Sequence, residues 1–271
     1  MPLNGNAAPA VAGGRGIFQR IVATGAAAGI VAGLLLVGVQ HLQVTQIIRT
    51  AETYEAAAAT MPAAPVAAHG HAQAGEHRQG QAHEQAHEQA HEHEQEHEQE
   101  HEHGGWQPEA GLERSFYTAV ADVSMAVGYA LLLAAILTVR DAPVNWRKGL
   151  LWGAGGYLVV FVAPSLGLPP ELPGTTAAPV MLRQAWWLGT ALATAVSLAL
   201  LVWARHPALK LAACVLLCVP HFVGAPQPPL HGSVAPESLA RSFIVASAIA
   251  NAVFWLALGA LTAAFHKRFN D

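Results

Sequence analysis

The chain has 271 residues, of which 53% are hydrophobic and only 12% are charged. Soluble domains carry about one quarter charged residues, so this composition excludes an ordinary soluble α/β enzyme and is typical of a membrane protein. The formal net charge is −4 and no basic patch is present, so we expect no nucleic-acid partner.

Six apolar segments approach the roughly 20 residues that a membrane helix needs. In chain order they span residues 21–39, 116–139, 149–167, 185–204, 208–224 and 243–265. The fifth is the weakest because Lys210 and Pro220 shorten its apolar core, so five spans are the alternative to six. We therefore predict an all-α integral membrane protein that lies in a lipid bilayer as a bundle of six transmembrane helices.

The first apolar segment follows Arg15 and Arg20, as the apolar region of a signal peptide would. Its apolar pattern continues through Val44, Ile47 and Ile48, and no small-residue cleavage site ends it. We therefore interpret residues 21–48 as an uncleaved first transmembrane helix.

The distribution of basic residues predicts the orientation in the membrane. With the N-terminus inside, nine of the fourteen Lys and Arg residues fall in inner segments, as the positive-inside rule requires. Residues 1–20 and the tail 267–271 are then cytoplasmic, residues 49–115 form an extracytoplasmic loop, and residues 116–266 hold the remaining helices. Nearly all acidic residues fall outside, so the outer face is suited to meet cations.

The long outer loop contains a histidine-rich tract at residues 69–103, with ten of the fifteen histidines. The candidate metal ligands in the tract recur mostly at intervals of four residues: His83, His87, His91, His93, His97, His101 and His103. Imidazole binds cobalt, nickel, copper and zinc well, and the interleaved glutamates add carboxylates. So little apolar surface predicts disorder, and a solvated tether is the alternative reading, compatible with metal capture.

Polar residues inside the apolar segments are the second group of candidates, because such residues are usually functional. His41 ends the first segment, Asp122 lies in the second and Asn251 in the sixth. The alternatives are a capped polar helix end for His41, pairing with an arginine for Asp122 and an interhelical hydrogen bond for Asn251. Cys214 and Cys218 lie near one face of the fifth segment, where buried cysteines commonly act as small hydrophobes.

Three predicted outer segments carry further candidate ligands. LGLPPELPG (166–174) and PHFVGAPQPPLHG (220–232) are rich in Pro and Gly and hence rigid and non-helical, and AETYE (51–55) follows the first helix. Their candidate ligands are Glu52, Glu55, Glu171, His221 and His231. We expect these side chains to converge on the outer mouth of the bundle, with ordinary loop turns as the alternative.

Several longer motifs together resemble one known family. They are QHLQV…AETYE (40–55), GLERSFYT (111–118), NWRKGLLWGAGGY (145–157), APSLGLPPELPG (163–174), RQAWWLGTALATA (183–195), PHFVGAPQPPLHGS (220–233) and NAVFWLALGAL (251–261). With the His-rich loop, this combination resembles the CbtA family of proposed cobalt transporter subunits. The resemblance implies a bacterial inner-membrane protein for cobalt uptake, a link to cobalamin biosynthesis and a small partner subunit of CbtB type. Members are often described with five spans.

Two functional hypotheses follow. The first is a permease for Co²⁺, with Ni²⁺ or Zn²⁺ as alternative cargo and no permanently bound cofactor: the tract captures the ion, the outer ligands dehydrate it, and His41 and Asp122 pass it inward. The second is a membrane-anchored metal buffer or chaperone without a conducting path. We expect no enzyme, because the H-E-x-x-H matches in the tract lack a folded cleft and no phosphate-binding loop is present.

Overall fold

The computed structural model describes residues 10–60, 108–109, 111–141, 143–230 and 232–270. Within these ranges the regular secondary structure is helical, which confirms the predicted all-α class. The α-helices are α1 Ala10–Leu42, α2 Val44–Thr60, α3 Leu112–Arg140, α4 Trp146–Tyr157, α5 Ala163–Ser165, α6 Val180–Trp203, α7 Pro207–Val223 and α8 Glu237–Asn270. A π-helix, Leu158–Val162, joins α4 to α5.

The chain divides into two compact units. Residues 1–61 and 116–271 form the first unit, which contains the helical bundle, and residues 62–115 form the second. In the described part of the second unit, the Glu109 N–H donates to Glu113 Oε2 at 3.1 Å across the first turn of α3. The His-rich tract lies outside the described residues, so its predicted disorder stays a prediction.

Four described helices are long and apolar enough to cross a membrane: Gly16–Leu42, Leu112–Arg140, Val180–Trp203 and Glu237–Phe269. They correspond to the first, second, fourth and sixth predicted segments. The fifth segment is the shorter apolar helix Pro207–Val223, and the third is divided by the π-helix. The prediction of six spans is therefore confirmed for four helices by length and composition.

The division of the third segment has a local cause. Pro164 has no N–H to donate to the preceding turn, so a regular α-helix cannot continue through it unchanged. The turn before it is widened, and the Ala163 N–H donates to Leu158 O, five residues back. Such π-turns occur mostly as short insertions within α-helices.

Close packing of α1 on α3 depends on the glycine stripe of the first helix. A Cβ atom on Gly33 would lie 2.7 Å from the Cα of Val123, and one on Gly29 would meet the backbone of Val127. Gly25 faces Leu131 in the same way. As the residue numbers of these contacts rise along α1, they fall along α3, so the two helices are antiparallel. Small residues allow this backbone approach.

A second close contact joins α4 to α8. Cβ atoms on Gly149 and Gly153 would meet the backbone of Gly259 and Trp255. Nearer the π-helix, the Tyr157 hydroxyl donates to Ala248 O at 3.1 Å. These pairs show that α4 and α8 are also antiparallel.

One end of the bundle, here called the Arg140 end, is held by a cation–π contact. The Arg140 guanidinium lies 4.4 Å from the ring centroid of Trp203 and 6.0 Å from that of Trp152. It thereby links the last turn of α3 to α4 and to the last turn of α6. Arginine over indole is the most favourable pairing of this kind.

The opposite end, called the His41 end, is covered by α2. The first predicted helix was expected to end at residue 48, with AETYE in a loop, but a second helix runs to Thr60 and contains that motif. Val44, Ile47, Ile48 and Ala51 form an apolar stripe at helical spacing, which packs into the core beside Leu172 and Ala235. This packing, rather than membrane insertion, accounts for the longer helix.

Candidate functional site

The two Pro- and Gly-rich loops meet at the His41 end. The Thr176 N–H donates to Gly232 O at 2.9 Å, and Thr175 and Ser233 form an isolated antiparallel bridge. We call this pairing of the two loops the loop clasp. Gly174, at its edge, has φ of 74°, which glycine adopts without the steric penalty of other residues.

Glu55 of α2 lies beside the loop clasp. A Cβ atom on Gly174 would be 3.6 Å from Glu55 Cγ. Glu55 is exposed, whereas Glu52, one turn earlier, is half-buried. Glu55 therefore lies next to Gly174 of the first loop, and the predicted convergence of ligands on the outer mouth stays a prediction.

Glu171 forms an ion pair with Arg183. Its Oε2 lies 3.0 Å from Nη2 of Arg183 in the first turn of α6. Both side chains are about one third exposed, with 29% for Glu171 and 33% for Arg183. An incoming metal ion would have to compete with this guanidinium for the carboxylate.

His221 lies in the last turn of α7 and is exposed. Its ring centroid is 6.2 Å from that of Trp186, whose Nε1–H donates to Pro220 O at 3.3 Å. Cys214 and Cys218, on the same helix, are free and exposed. They therefore present their thiols outward from the bundle and do not form a disulfide.

Asp122 occupies an unusual position in α3. Its Oδ2 is buried and has no hydrogen-bond partner, a condition it shares, among the described side chains, with Thr24 Oγ1 and Ser197 Oγ. The residue follows the same stripe as buried Ala126 and Ala130. An unpaired carboxylate oxygen within an apolar helix is energetically costly, which makes Asp122 a candidate functional residue.

His41 and Asn251 differ from Asp122 in their surroundings. His41 is exposed in the last turn of α1. Asn251 is half-buried, and its Nδ2 donates to Ser247 O at 3.0 Å, one turn earlier in α8. The hydrogen bond joins two residues of α8. The Asn251 amide nitrogen therefore bonds within its own helix and not to a neighbouring helix.

The predicted ligands that the structure describes do not form one preassembled metal site. No group of three or more His, Cys, Asp or Glu side chains that could hold a metal ion occurs in the part of the chain that the structure describes. The tract histidines and His231 lie outside the described residues. The assignment of Glu52, Glu55, Glu171, His221, His41 and Asp122 as ligands therefore stays a prediction. Sequence reasoning missed Arg183 because its partnership with Glu171 depends on how a loop returns to α6.

In its described part, the chain is a membrane-type, all-helical protein in which one apolar helix carries an aspartate with a buried carboxylate oxygen. A family profile described as Probable cobalt transporter subunit (CbtA) matches residues 18–86 and 78–267. The chain therefore belongs to the CbtA family of probable cobalt transporter subunits, which confirms the resemblance seen in the motifs. No curated protein and no solved structure matches the chain.

Proposed function

We propose that this chain is the membrane subunit of a permease that imports Co²⁺ for cobalamin biosynthesis. The family supports a cobalt transporter subunit. The buried, unpaired Oδ2 of Asp122 carries the argument for a conducting path, because a metal buffer has no use for a carboxylate at membrane depth. The membrane potential favours entry of a dication by about 4.6 kcal/mol per 100 mV, twice the value for one charge.

The proposed path begins at the His41 end. The His-rich tract captures the ion and raises its local concentration. Glu52, Glu55, Glu171, His221 and His231 then replace part of its water shell. His41 and Asp122 pass it into the bundle. Glu171 binds the ion after its ion pair with Arg183 has opened.

The proposal includes six spans with both termini in the cytoplasm of a bacterial cell and the tract outside the inner membrane. Two observations support six spans. Gly167, just beyond α5, lies against Trp186 at the start of α6, and Trp186 also contacts Pro220 near the end of α7. At the other end, Trp152 of α4 lies beside Trp203, where α6 ends. The two shorter apolar segments thus run alongside α6 from one end of the bundle to the other.

A small subunit of CbtB type is the proposed partner. The word subunit in the family description supports an assembly of more than one chain. We expect co-expression of this partner to raise cobalt uptake above the level of the chain alone.

Uptake of radioactive cobalt into cells expressing the chain, with and without the partner, tests the proposal. The variants are a deletion of residues 69–103, Asp122→Asn, and Asp141→Asn as the matched control. Asp141 is exposed and lies just beyond α3, where φ is 44° and asparagine is tolerated. Membrane abundance is measured for every variant.

We expect tract deletion to weaken uptake only at low cobalt, Asp122→Asn to abolish it and Asp141→Asn to leave it unchanged. If Asp122→Asn has no effect while tract deletion abolishes cobalt accumulation, the chain is a membrane-anchored buffer or chaperone. Accumulation of nickel or zinc in place of cobalt would support a permease whose transported ion is not cobalt.

A further inference from the structure

Asp122 lies at the same depth in the bundle as a group of neutral oxygen atoms on α4 and α8. The rings of Tyr129 on α3 and Trp255 on α8 are 4.8 Å apart between centroids, which sets the relative height of these helices. Asp122 precedes Tyr129 by about two helical turns, and Ala248 precedes Trp255 by the same distance. Because α3 and α8 both begin at the His41 end, Asp122 and Ala248 lie at one level.

The facing directions of the two helices also agree. Residues two turns apart lie on the same face of a helix. Asp122 therefore shares the α3 face of Tyr129, which contacts α8. Ala248 shares the α8 face of Trp255, which makes that contact. The Asp122 carboxylate is thus directed toward the junction of α3 with α8.

Tyr157 reaches the same level from α4. Its hydroxyl donates to Ala248 O at 3.1 Å. A phenol oxygen that donates its proton retains lone pairs and can still bind a cation. The aromatic ring stacks on Phe161, with centroids 5.5 Å apart, which fixes its direction.

Ser247 and Asn251 add two more oxygen atoms on α8. Ser247 is buried, with 9% exposure, and lies next to Ala248 in the chain. Asn251 lies one turn further along, and its Nδ2 is held by Ser247 O at 3.0 Å. With the amide nitrogen engaged, Oδ1 is the remaining group that can accept a hydrogen bond or bind a cation.

We propose that Asp122, Tyr157, Ser247 and Asn251 form an oxygen-only layer that binds the divalent cation during its passage through the membrane. The proposal rests on the permease function and deepens it by naming the intramembrane ligands. One carboxylate supplies charge, and three neutral oxygens replace water. Oxygen ligands hold transition metals less tightly than imidazole does, so the ion can both enter and leave.

The ligand chemistry has a consequence for selectivity. Carboxylate, hydroxyl and amide oxygens suit Mn²⁺ as well as Co²⁺, whereas imidazole favours Co²⁺ strongly. The layer therefore accepts both ions, and preference for cobalt arises in the histidine tract. Manganese is expected to compete with cobalt for uptake more effectively after residues 69–103 are deleted.

Initial rates of cobalt uptake in cells test the layer, with the full chain and its partner present. The layer variants are Tyr157→Phe, Ser247→Ala and Asn251→Leu. Ser197→Ala is the matched control for Ser247→Ala, because Ser197 is a fully buried serine on a different helix, α6. Asn251→Asp, which keeps an oxygen ligand, is the conservative variant. Membrane abundance and competition by manganese are measured in each case.

We expect each layer variant to raise the cobalt concentration for half-maximal uptake about threefold to tenfold at normal abundance, as the loss of one polar contact predicts. The manganese concentration that halves cobalt uptake should rise in the same variants, because the layer binds both ions. Ser197→Ala should behave as wild type, and Asn251→Asp should retain uptake.

Wild-type kinetics in all three layer variants, together with loss of uptake in Asp122→Asn, would contradict the proposed oxygen-only layer. The proposed permease function would still stand. If Ser197→Ala impairs uptake as much as Ser247→Ala does, the proposed layer is also contradicted, because loss of a buried hydroxyl would then impair uptake wherever it lies in the bundle. Absence of uptake by the wild-type chain, despite confirmed membrane insertion, would overturn the permease and the layer together.

Discussion

Glu171 and Asp122 are both carboxylates, and the structure places them in contrasting surroundings. Glu171 pairs with Arg183 at 3.0 Å at the His41 end. Asp122 keeps a buried oxygen without any partner. On the proposed path, an ion meets a carboxylate paired with an arginine first and an unpaired carboxylate oxygen deeper in the bundle. This order suits stepwise dehydration, because the more costly site is reached last.

Replacing Arg183 by glutamine should increase the apparent affinity for cobalt. Glu171 then meets the ion without a competing guanidinium, and partly exposed ion pairs contribute about 0.2–1 kcal/mol. We expect the cobalt concentration for half-maximal uptake to fall by up to about fivefold. Dose–response curves of cobalt uptake measure this shift.

Arg241→Gln is the control for that change. Arg241 pairs with Glu237 at 2.6 Å at the same end of the bundle, but both side chains are largely exposed and no ligand role is proposed for them. An equal fall in both variants would indicate a general effect of surface charge. An unchanged or higher half-maximal concentration in Arg183→Gln would argue against a role for Glu171.

At the scale of helices, the contact between α1 and α3 holds Asp122 in place, because Gly33 of α1 packs on Val123, the next residue. We expect Gly29→Ala to lower the free energy of unfolding by about 1–3 kcal/mol, since the new methyl group would overlap the Val127 backbone. Thermal unfolding of the purified chain in detergent measures the effect.

Gly128→Ala on α3 provides the comparison, because nothing lies within 4 Å of a Cβ atom there. Both substitutions gain the same helix propensity, so their difference reports packing alone. Equal unfolding temperatures for the two variants would show that the close approach of α1 to α3 contributes little to stability.

The loop clasp and α2 form the second element whose integrity can be tested. Alanine at position 174 must adopt φ of 74° and would place its methyl group against Val234. We expect Gly174→Ala to speed amide hydrogen exchange in α2 and in residues 232–236, since the cost is about 1–2 kcal/mol from the backbone alone. Mass spectrometry of the exchanged peptides measures it.

Gly232→Ala is the matched control on the other strand of the clasp. Its Cβ atom would meet only Thr176 Oγ1, at 3.4 Å, which is tolerable with a small adjustment. If exchange in α2 is the same in Gly174→Ala as in the wild-type chain, α2 is held by its apolar stripe and not by the clasp.

For the whole molecule, the histidine tract should make metal loading depend on pH. Imidazole binds a metal only when it is neutral, and free histidine titrates near pH 6.5. Protonation on lowering the pH therefore removes ligands, and we expect loading to fall steeply between about pH 7 and pH 5.5. Equilibrium dialysis with cobalt, using the chain lacking residues 69–103 as baseline, measures this. Constant loading across the range would contradict histidine ligation.

The sequence by itself determined the helical membrane class, the positions of the apolar segments and the family. Each depends on composition or on runs of neighbouring residues, which are local properties of the chain. Asp122 was also visible as a charge within an apolar segment. The spacing of Gly25, Gly29 and Gly33 indicates a helix face suited to close packing, although not which helix it meets.

Only the tertiary structure decided what these residues contact. The second helix through Glu55 and the pairing of Glu171 with Arg183 depend on how distant segments pack. The common depth of Asp122 and Tyr157 depends on the relative height of α3, α4 and α8. Helical periodicity determines which residues share a face, but it contains no information about the height of one helix beside another, because that height is set by interlocking side chains along the whole interface.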